Sequence, residues 1–449
     1  MQTKRDNSQQ RLILLPPLEE MIPREHRLRR LQRVLDLSFV HEAVRGRYCQ
    51  DNGRPSIDPE VIIRLFLLQA IYGISHVREL MSQVQVNLAY RWFIGYELDE
   101  ELPDHSTLSK TLDRFGDEVF NELFARSIAQ CHQSGLIEGK VLHVDATTIR
   151  ADLDKNRVNQ VGSSDPDARF GHFPDGTIQP GYKQQTVVDD GSRVVLAVDV
   201  TPANVSEHDT AIAVVEQALE RLEQGAEVVC ADGAYASGAN RAALQAREIR
   251  LVSPPPQAKT WTGEGYYTVE DFAYDEIKDQ FVCPAGACLR CVSIERKRSR
   301  RLYRAGRSVC GQCPRRSECT PGKYRTVKVT TDHAALLRLR ADSKSEDFQQ
   351  LYRGRAPAIE GVFAEAKQRH GLRRAWRRGL TKMRIQSLLI AAVINFKRLI
   401  ALFRPATLIP GSIRAALETF RRYLIAVIAF CRSTSPCCRY RPKTVPASV

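Results

Sequence analysis

No stretch of this 449-residue sequence reads as a membrane span: the apolar run RRYLIAVIAFC, residues 421 to 431, is about half of the roughly 20 residues that a spanning helix needs. The N-terminus, MQTKRDNSQQRLILLPPLEEMIP, has too short an apolar core for a secretory signal and no small-residue cleavage site. A cytoplasmic location is expected. An acidic excess is also missing. Lys and Arg total 66 against 52 Asp and Glu, a formal net charge of +14 with a pI near 9.3. That balance favours a polyanionic partner, nucleic acid first, although a basic surface serving solubility would give the same total. Clustering of the charge has to decide. Disulfides are not expected despite twelve cysteines, because six of them crowd into residues 283 to 319. In a cytosolic chain such crowding points to metal.

What is present divides the chain by texture. With 43% hydrophobic residues over this length, two or three domains are expected. Residues 20–137 read as an all-helical N-terminal domain. Asp58-Pro59-Glu60 supplies an N-cap, a proline at the first helical position and an acidic first turn, and VIIRLFLLQAIYGI follows with apolar residues on more than one face. A helix-turn-helix binding DNA ends and a plain packing or dimerisation module fit this region equally. From 138 to 255 strands and helices alternate as β-β-β-α-β-α-β, beginning with KVLHVDATTIRA and a hairpin turning at Asp-Asp-Gly-Ser. DKNRVNQVGSSDPDARFGHFPDGTIQP, between the first two strands, reads as a long loop without catalytic residues. Residues 256–345 form a Cys-rich basic insertion, 346–403 carry helices expected to begin near Ala356, and 404–449 form a basic C-terminal tail.

Three acids stand out by position. Asp145 ends the first strand, Asp232 closes the buried run Val228 to Ala231, and Glu360 sits on the helix after the insertion. A carboxylate closing a buried strand is costly to desolvate unless a salt bridge or a metal compensates it. In this strand order the first and fourth strands can lie side by side, so that both aspartates emerge at one edge where a helix can present the third acid. Three clustered carboxylates cannot all ionise unaided, and two magnesium ions would resolve this while lowering the pKa of a bound water.

At these residues the chain resembles the DDE transposases of bacterial insertion sequences. Asp145 in HVDATTIRA, Asp232 in ADGAYAS and Glu360 in RAPAIEGVFAEAKQRHGLRRAWRRG look like the acidic triad, and Tyr352, Arg355, Glu360 and Lys367 look like the family's Tyr-Arg-Glu-Lys signature. The likeness extends to GYKQQTVVD, TPANVSEHD and PDHSTLSKTLDRFG, and covers about residues 50 to 400. It implies an α/β fold: an RNase H-like mixed sheet with flanking helices, preceded by an all-α domain and carrying the Cys-rich insertion. It further implies Mg2+ or Mn2+ at Asp145, Asp232 and Glu360, cleavage at transposon ends, strand transfer into target DNA, and a homodimer on double-stranded DNA. A metal-dependent nuclease without strand transfer, or an inactive DNA-binding relic, remain the alternatives.

Each residue also has a plainer reading. Asp145 and Asp232 could cap turns, as Asp152, Asp154, Asp189 and Asp209 are expected to do. Glu365 rivals Glu360 but lacks the family's spacing to Lys367. Lys367, Arg369, Arg373, Arg374, Arg377, Arg378, Lys382 and Arg384 fall in one short span beside Glu360, which reads as a phosphate-tracking surface rather than a solvated face. Lys183 is a phosphate contact by resemblance only, and a strand-edge lysine is as good a reading. Trp376 is expected to fill core, and His143 to be a packed histidine. Cys288-x2-Cys291 with Cys310-x2-Cys313 matches zinc-ribbon spacing. The resemblance implies Cys283, Cys310, Cys313 and Cys319 instead, a structural Zn2+ site beneath the basic hairpin ERKRSRRLYRAGR, and is preferred. Cys49, Cys131 and Cys230 read as buried thiols.

Overall fold

The computed structural model describes residues 16–48, 56–153, 165–222, 225–255, 265–296, 300–331 and 333–403. Met1–Ile400 cluster as one unit and Ala401–Val449 as a second, of which only residues 401–403 are described. The expected tail, Cys49 and Asp154 therefore lie outside the described residues, as does most of the loop after Leu153.

Among the described residues eight α-helices precede the first strand: α1 (Leu18–Met21), α2 (Arg27–Val34), α3 (Val40–Val44), α4 (Pro59–Tyr72), α5 (Val77–Val86), α6 (Leu88–Ile94), α7 (His105–Phe115) and α8 (Glu118–Gln133). Helix α4 starts as its sequence dictates, with the Asp58 side chain accepting the Glu60 N–H and Pro59 at the first turn. It ends on Gly73 in the left-handed region (φ 65°), and its apolar residues are buried nearly all round. A Cβ at Gly73 would lie 2.9 Å from the Arg369 carbonyl, so glycine is needed for this close approach as well as for the cap.

A six-stranded sheet follows, built from β1 (Val141–Arg150), β2 (Arg169–His172), β3 (Ile178–Asp189), β4 (Val195–Pro202), β5 (Val228–Cys230) and β6 (Arg250–Val252). The main order is β4-β3-β1-β5-β6, with β2 also on β3; β1 to β4 are antiparallel, and β5 and β6 run parallel to β1. The expected loop between the first two long strands is thus partly strand: Arg169–His172 pairs with Ile178–Gly181 across a Phe173–Thr177 turn. Composition hid this because the turn residues Pro174, Asp175 and Gly176 dominate the stretch. Helices α9 (Glu207–Leu219) and α10 (Gly238–Gln245) link β4, β5 and β6.

The Cys-rich insertion is a second, five-stranded antiparallel sheet: β7 (Ala273–Asp275), β8 (Gln280–Val282), β9 (Cys288–Glu295), β10 (Arg300–Arg304) and β11 (Thr326–Thr330), with short helices α11 (Arg307–Gly311) and α12 (Arg316–Cys319). It has its own small core around Phe272, Phe281, Leu289 and Tyr303. Strands β9 and β10 pair as the expected basic hairpin, and residues 297–299 lie outside the described residues.

The chain then returns through α13 (His333–Asp342) and α14 (Glu346–Arg355), a five-residue π-turn Ala356–Glu360, α15 (Gly361–Arg369) and α16 (Leu380–Leu402). The helix bearing Glu360 therefore begins ten residues earlier than Ala356, at Glu346. Pro357 lacks the N–H an α-turn would use, which accounts for the widened turn. Helix α16 corrects one reading of the sequence: at 23 residues and mean hydropathy 1.6 it is long and apolar enough to cross a membrane. Its apolar residues are instead buried in the main core with α4, α8 and the sheet. Asn395, fully buried on it, donates to Val195 O and Ser127 Oγ and accepts the Val195 N–H at 2.8 Å, fixing the helix against β4 and α8.

Candidate active site and nucleic-acid interface

The pairing of β1 with β5 brings the segments that carry the two aspartates side by side. The last paired position of β1 and β5 is His143 with Cys230, and Asp145 and Asp232 each stand two residues further along these parallel strands. Asp145 lies within β1 and Asp232 just past the end of β5, near enough for the Asp232 charge to act on the Asp145 carboxyl. Asp232 caps the short turn Gly233–Tyr235 by accepting the Ala234 N–H at 2.9 Å, the turn-capping role its type suggests.

Arg355, at the end of α14, donates through Nη1 to Asp145 Oδ2 at 2.7 Å, both side chains being largely covered (12% and 16% exposed). Burial pushes the Asp145 carboxyl above the usual aspartate range; the Ala146 N–H and Arg355 pull it back, and Asp232 pushes it up again. Burial likewise works against the Arg355 charge, but the Asp145 carboxylate overrides it and holds the guanidinium above its ordinary value. Burial thus wins at Asp145 and the ion pair wins at Arg355, which leaves a carboxyl primed to prefer a stronger counter-charge. Tyr352, one turn earlier, lies beneath the same guanidinium (5.7 Å from ring centre) and stacks on Phe348.

Glu360 is exposed on the π-turn. Its rival Glu365 is held in place by Lys397, Arg398 (2.6 Å) and His370, and is only 13% exposed. The carboxylate free to reach a ligand is therefore that of Glu360. Among the described residues no three His, Cys, Asp or Glu side chains stand close enough together to hold a metal ion. By type, the donors still fit a hard divalent cation: carboxylate oxygens, those of Asp145 buried beyond what its arginine compensates.

The basic run does not form one continuous surface. Lys367 and Arg373 line a small cleft of about 210 Å3 with Thr148, Arg150 and Asp175. There burial, then Arg373 and Arg150, push the Lys367 ammonium down. Arg374 and Arg378 bend back to Asp152, the first 3.8 Å from its carboxylate and the second 3.2 Å from its carbonyl. Arg377 turns inward over Phe66, while Lys382 pairs with Asp113 and Arg384 with Asp117. Lys183 is not at a sheet edge. It stands on β3 between β1 and β4, opposite Thr148, and so on the other face from Asp145, whose partner is Thr186. Its ammonium donates to the Val205 carbonyl at 3.1 Å.

His143 is buried and hydrogen-bonded to Asp190, Asp189 organises the β3–β4 turn, and Trp376, Cys131 and Cys230 are buried, as the sequence suggested. In the second sheet, Cys283, Cys310, Cys313 and Cys319 line one cavity of about 230 Å3, whereas Cys288 and Cys291 lie on β9 outside it. Burial raises the Cys319 thiol, opposed by Arg325 and reinforced by the other three thiols of the cavity. The Ala287 N–H points at Cys283 Sγ (3.3 Å), and Gly286 supplies the positive φ of that tight turn.

Two family models match the chain: a "Transposase domain (DUF772)" over residues 16–114 and a "Transposase DDE domain" over residues 282–400. The second includes Glu360 and the four cavity cysteines, and neither reaches Asp145 or Asp232. No curated protein matches. Among solved structures, a piggyBac transposase synaptic complex with hairpin DNA is 11% identical over 92% of this chain and 83% of that chain, with a TM-score of 0.34. A Mos1 transposase paired-end complex with the left transposon end is 13% identical over 45% of this chain and 61% of that chain, with a TM-score of 0.16. With one transposase model at each end of the folded unit, the resemblance to the insertion-sequence DDE transposases holds for this chain.

Proposed function

We propose that this chain is a transposase that cleaves phosphodiester bonds at the ends of its element and joins them to target DNA. The observation that carries the reading is the register of β1 and β5, which pairs His143 with Cys230 two residues before Asp145 and Asp232, with Arg355 bonded to Asp145. The strand order, three antiparallel strands continued by two parallel to the first, supports an RNase H-like core. The working domains are the helical module (20–137), the two parts of the core (138–255 and 346–403) and the Cys-rich insertion (256–345).

Asp145 and Asp232 would hold Mg2+ or Mn2+, with Glu360 as the third carboxylate. Such a cation supplies Lewis-acid stabilisation of the oxygens exchanged at phosphorus. The chain's own part is positioning. Arg355 holds the Asp145 carboxylate in one orientation, and Tyr352 supports Arg355. Lys367 and Arg373, crowded with Arg150 in a cleft that offers few acceptors, would hold a DNA phosphate there. Phosphoryl transfer asks mainly for such alignment and charge compensation. A structural Zn2+ at Cys283, Cys310, Cys313 and Cys319 fits the donor chemistry of that cavity, and two protomers on paired ends fit the two-ended task.

The test is cleavage and joining of DNA carrying the ends that flank this gene, with Mg2+, comparing the native chain with Asp232→Ala. Activity lost in the variant supports the transposase. Cleavage without joining would leave a nuclease, and binding without chemistry from either protein would leave a DNA-binding relic.

A further inference from the structure

The second sheet buries one face and leaves the other open. Phe281, Leu289, Tyr303 and Val327 fill its small core. Side chains alternate along a strand, so Arg290, Arg304 and Lys328, each next in sequence to one of these, project from the opposite face, and all three are exposed. Arg290 and Arg304 are direct partners in the ladder of β9 and β10. Lys328, on β11, is the partner of Leu302, which shares the face of Arg304. Beyond the end of this row, Arg304 and the exposed Arg307 both lie over the Tyr324 ring, 5.1 and 5.4 Å from its centre. Hydrogen bonds from Arg304 and then Arg307 pull the Tyr324 hydroxyl below the ordinary tyrosine range.

The charge on this face is unbalanced. Among the described residues, Arg290, Arg304, Arg307 and Lys328 form no ion pair with a carboxylate. The acids around them are engaged elsewhere. Asp279 accepts from Arg301, Tyr274 and Tyr303, Glu276 and Glu270 pair with Arg338 and Arg340 of α13, and Glu318 accepts from Tyr267. Glu295, opposite Arg300, stands at the other end of β10. The same strand thus matches Arg301 with an acid and leaves Arg304 without one.

Two features set this surface apart from a basic coat serving solubility. Like charges directly opposite across a ladder repel, so the Arg290–Arg304 partnership works against the free sheet. An edge lysine such as Lys328 guards a free strand edge, but β9 and β10 are interior strands of the order β11-β10-β9-β8-β7 and have no edge to guard. A bound polyanion would relieve the repulsion.

We propose that the open face of the second sheet is a docking surface for the phosphate backbone of duplex DNA, held without regard to sequence. Charge and layout choose the occupant. Cations on neighbouring strands stand about 4.8 Å apart, and each DNA strand carries one phosphate per about 3.4 Å of helix axis, so an open row of cations fits a string of phosphates rather than one enclosed anion. Guanidinium and ammonium groups meeting phosphate oxygens position a duplex and read no bases. The proposal rests on the transposase reading for the identity of the polyanion. It adds a place, apart from the carboxylates, where DNA of any sequence is held.

The test uses the full chain and two labelled duplexes, one carrying the element's end and one with that sequence scrambled. Arg290→Gln/Arg304→Gln removes the opposed pair, and Arg290→Lys/Arg304→Lys keeps its charge. Arg247→Gln/Lys344→Gln, exposed outside this sheet, is the charge-matched control. At about 0.1 M salt the glutamine variant is expected to bind both duplexes about 50-fold more weakly, and to lower the slope of log affinity against log salt by about two, with Tm unchanged. The control should change affinity less than about twofold and the lysine variant less than about threefold. Losses in the control equal to those of the glutamine variant, or a lysine variant as weak as the glutamine one, would overturn the surface. A loss confined to the end duplex would mean that bases are read there, and would overturn it too. Native-like binding by the glutamine variant, with cleavage still lost in Asp232→Ala, would remove the surface and leave the transposase standing. Binding lost in the glutamine variant when the native chain cleaves neither duplex would keep the surface and remove the enzyme. A native chain that binds no duplex overturns both.

Discussion

Arg355 Nη1 meets Asp145 Oδ2 at 2.7 Å across 210 residues of sequence, and this contact opposes the burial that raises the Asp145 carboxyl. The Asp145 carboxyl is raised by burial and lowered by the Ala146 N–H and Arg355. Removing Arg355 removes a lowering influence, so Arg355→Ala raises the carboxyl further. A carboxylate must ionise to bind a cation, so Mn2+ binding should then require a higher pH than in the native chain. The acid limb of a Mn2+ isotherm series is expected to move up, and cleavage to fall about 100-fold or more. An acid limb that stays put or moves down would show that Arg355 does not govern Asp145.

The four cavity cysteines make a stoichiometric prediction. The purified chain should carry one Zn2+, lost in Cys310→Ser or Cys283→Ser and retained in Cys288→Ser and Cys291→Ser. Elemental analysis of the five proteins decides it. Zinc lost in Cys288→Ser but kept in Cys283→Ser would return the ribbon spacing to favour.

Spacing within a few residues was legible in the sequence, whereas contacts across elements were not. Asp58-Pro59-Glu60 announces α4 because a cap acts within one turn, and Asp232 announces itself because a carboxylate ending an apolar run is expensive. The pairing of β1 with the strand before Asp232 could be argued from strand order alone. The face on which Lys183 points could not, since it depends on register, and a one-residue slip reverses it. Nor could the sequence divide the basic run: Arg373 reaches the cleft of Lys367 and Arg377 turns inward over Phe66 only because Gln386 folds their segment back. Asn395 was overlooked, although a lone amide inside IAAVINFKRL is a signal that something polar waits on the buried side.

Glu360 and Glu365, little more than one turn apart, should separate chemistry from stability. Burial alone would raise the Glu365 carboxyl, but His370, Lys397 and Arg398 hold it far below its ordinary value. Glu365→Gln leaves Lys397 and Arg398 uncompensated and should cost about 3 kcal/mol near neutral pH. Because the folded value is depressed, that stabilisation is complete above the unfolded value, near 4.5, and fades as pH falls toward the folded one. The denaturant midpoint of Glu365→Gln should therefore approach the native one on acidification. Glu360→Gln, on an exposed position, should shift stability by less than about 0.5 kcal/mol while abolishing cleavage. The reverse pattern would exchange their roles.

His333 makes the second sheet sensitive to acid. It is 4% exposed and packs on Tyr274 and Phe281, with ring centres 5.2 and 5.1 Å away. Burial, assisted by Arg340, pushes its pKa from 6.5 down to about 4. Between those values the unfolded chain binds the proton and the folded one does not, so stability falls as pH drops through that window. The full difference amounts to about 3 kcal/mol, a large share of what a small core such as that of Phe272, Phe281, Leu289 and Tyr303 supplies. Thermal melts followed by the near-ultraviolet signal of the tyrosines should show the native transition weakening from pH 7 to pH 4.5. His333→Phe, which has no proton to gain, should lose much less over the same range. Parallel losses in both proteins would mean that the acid response comes from elsewhere in the chain, and that His333 is merely packed.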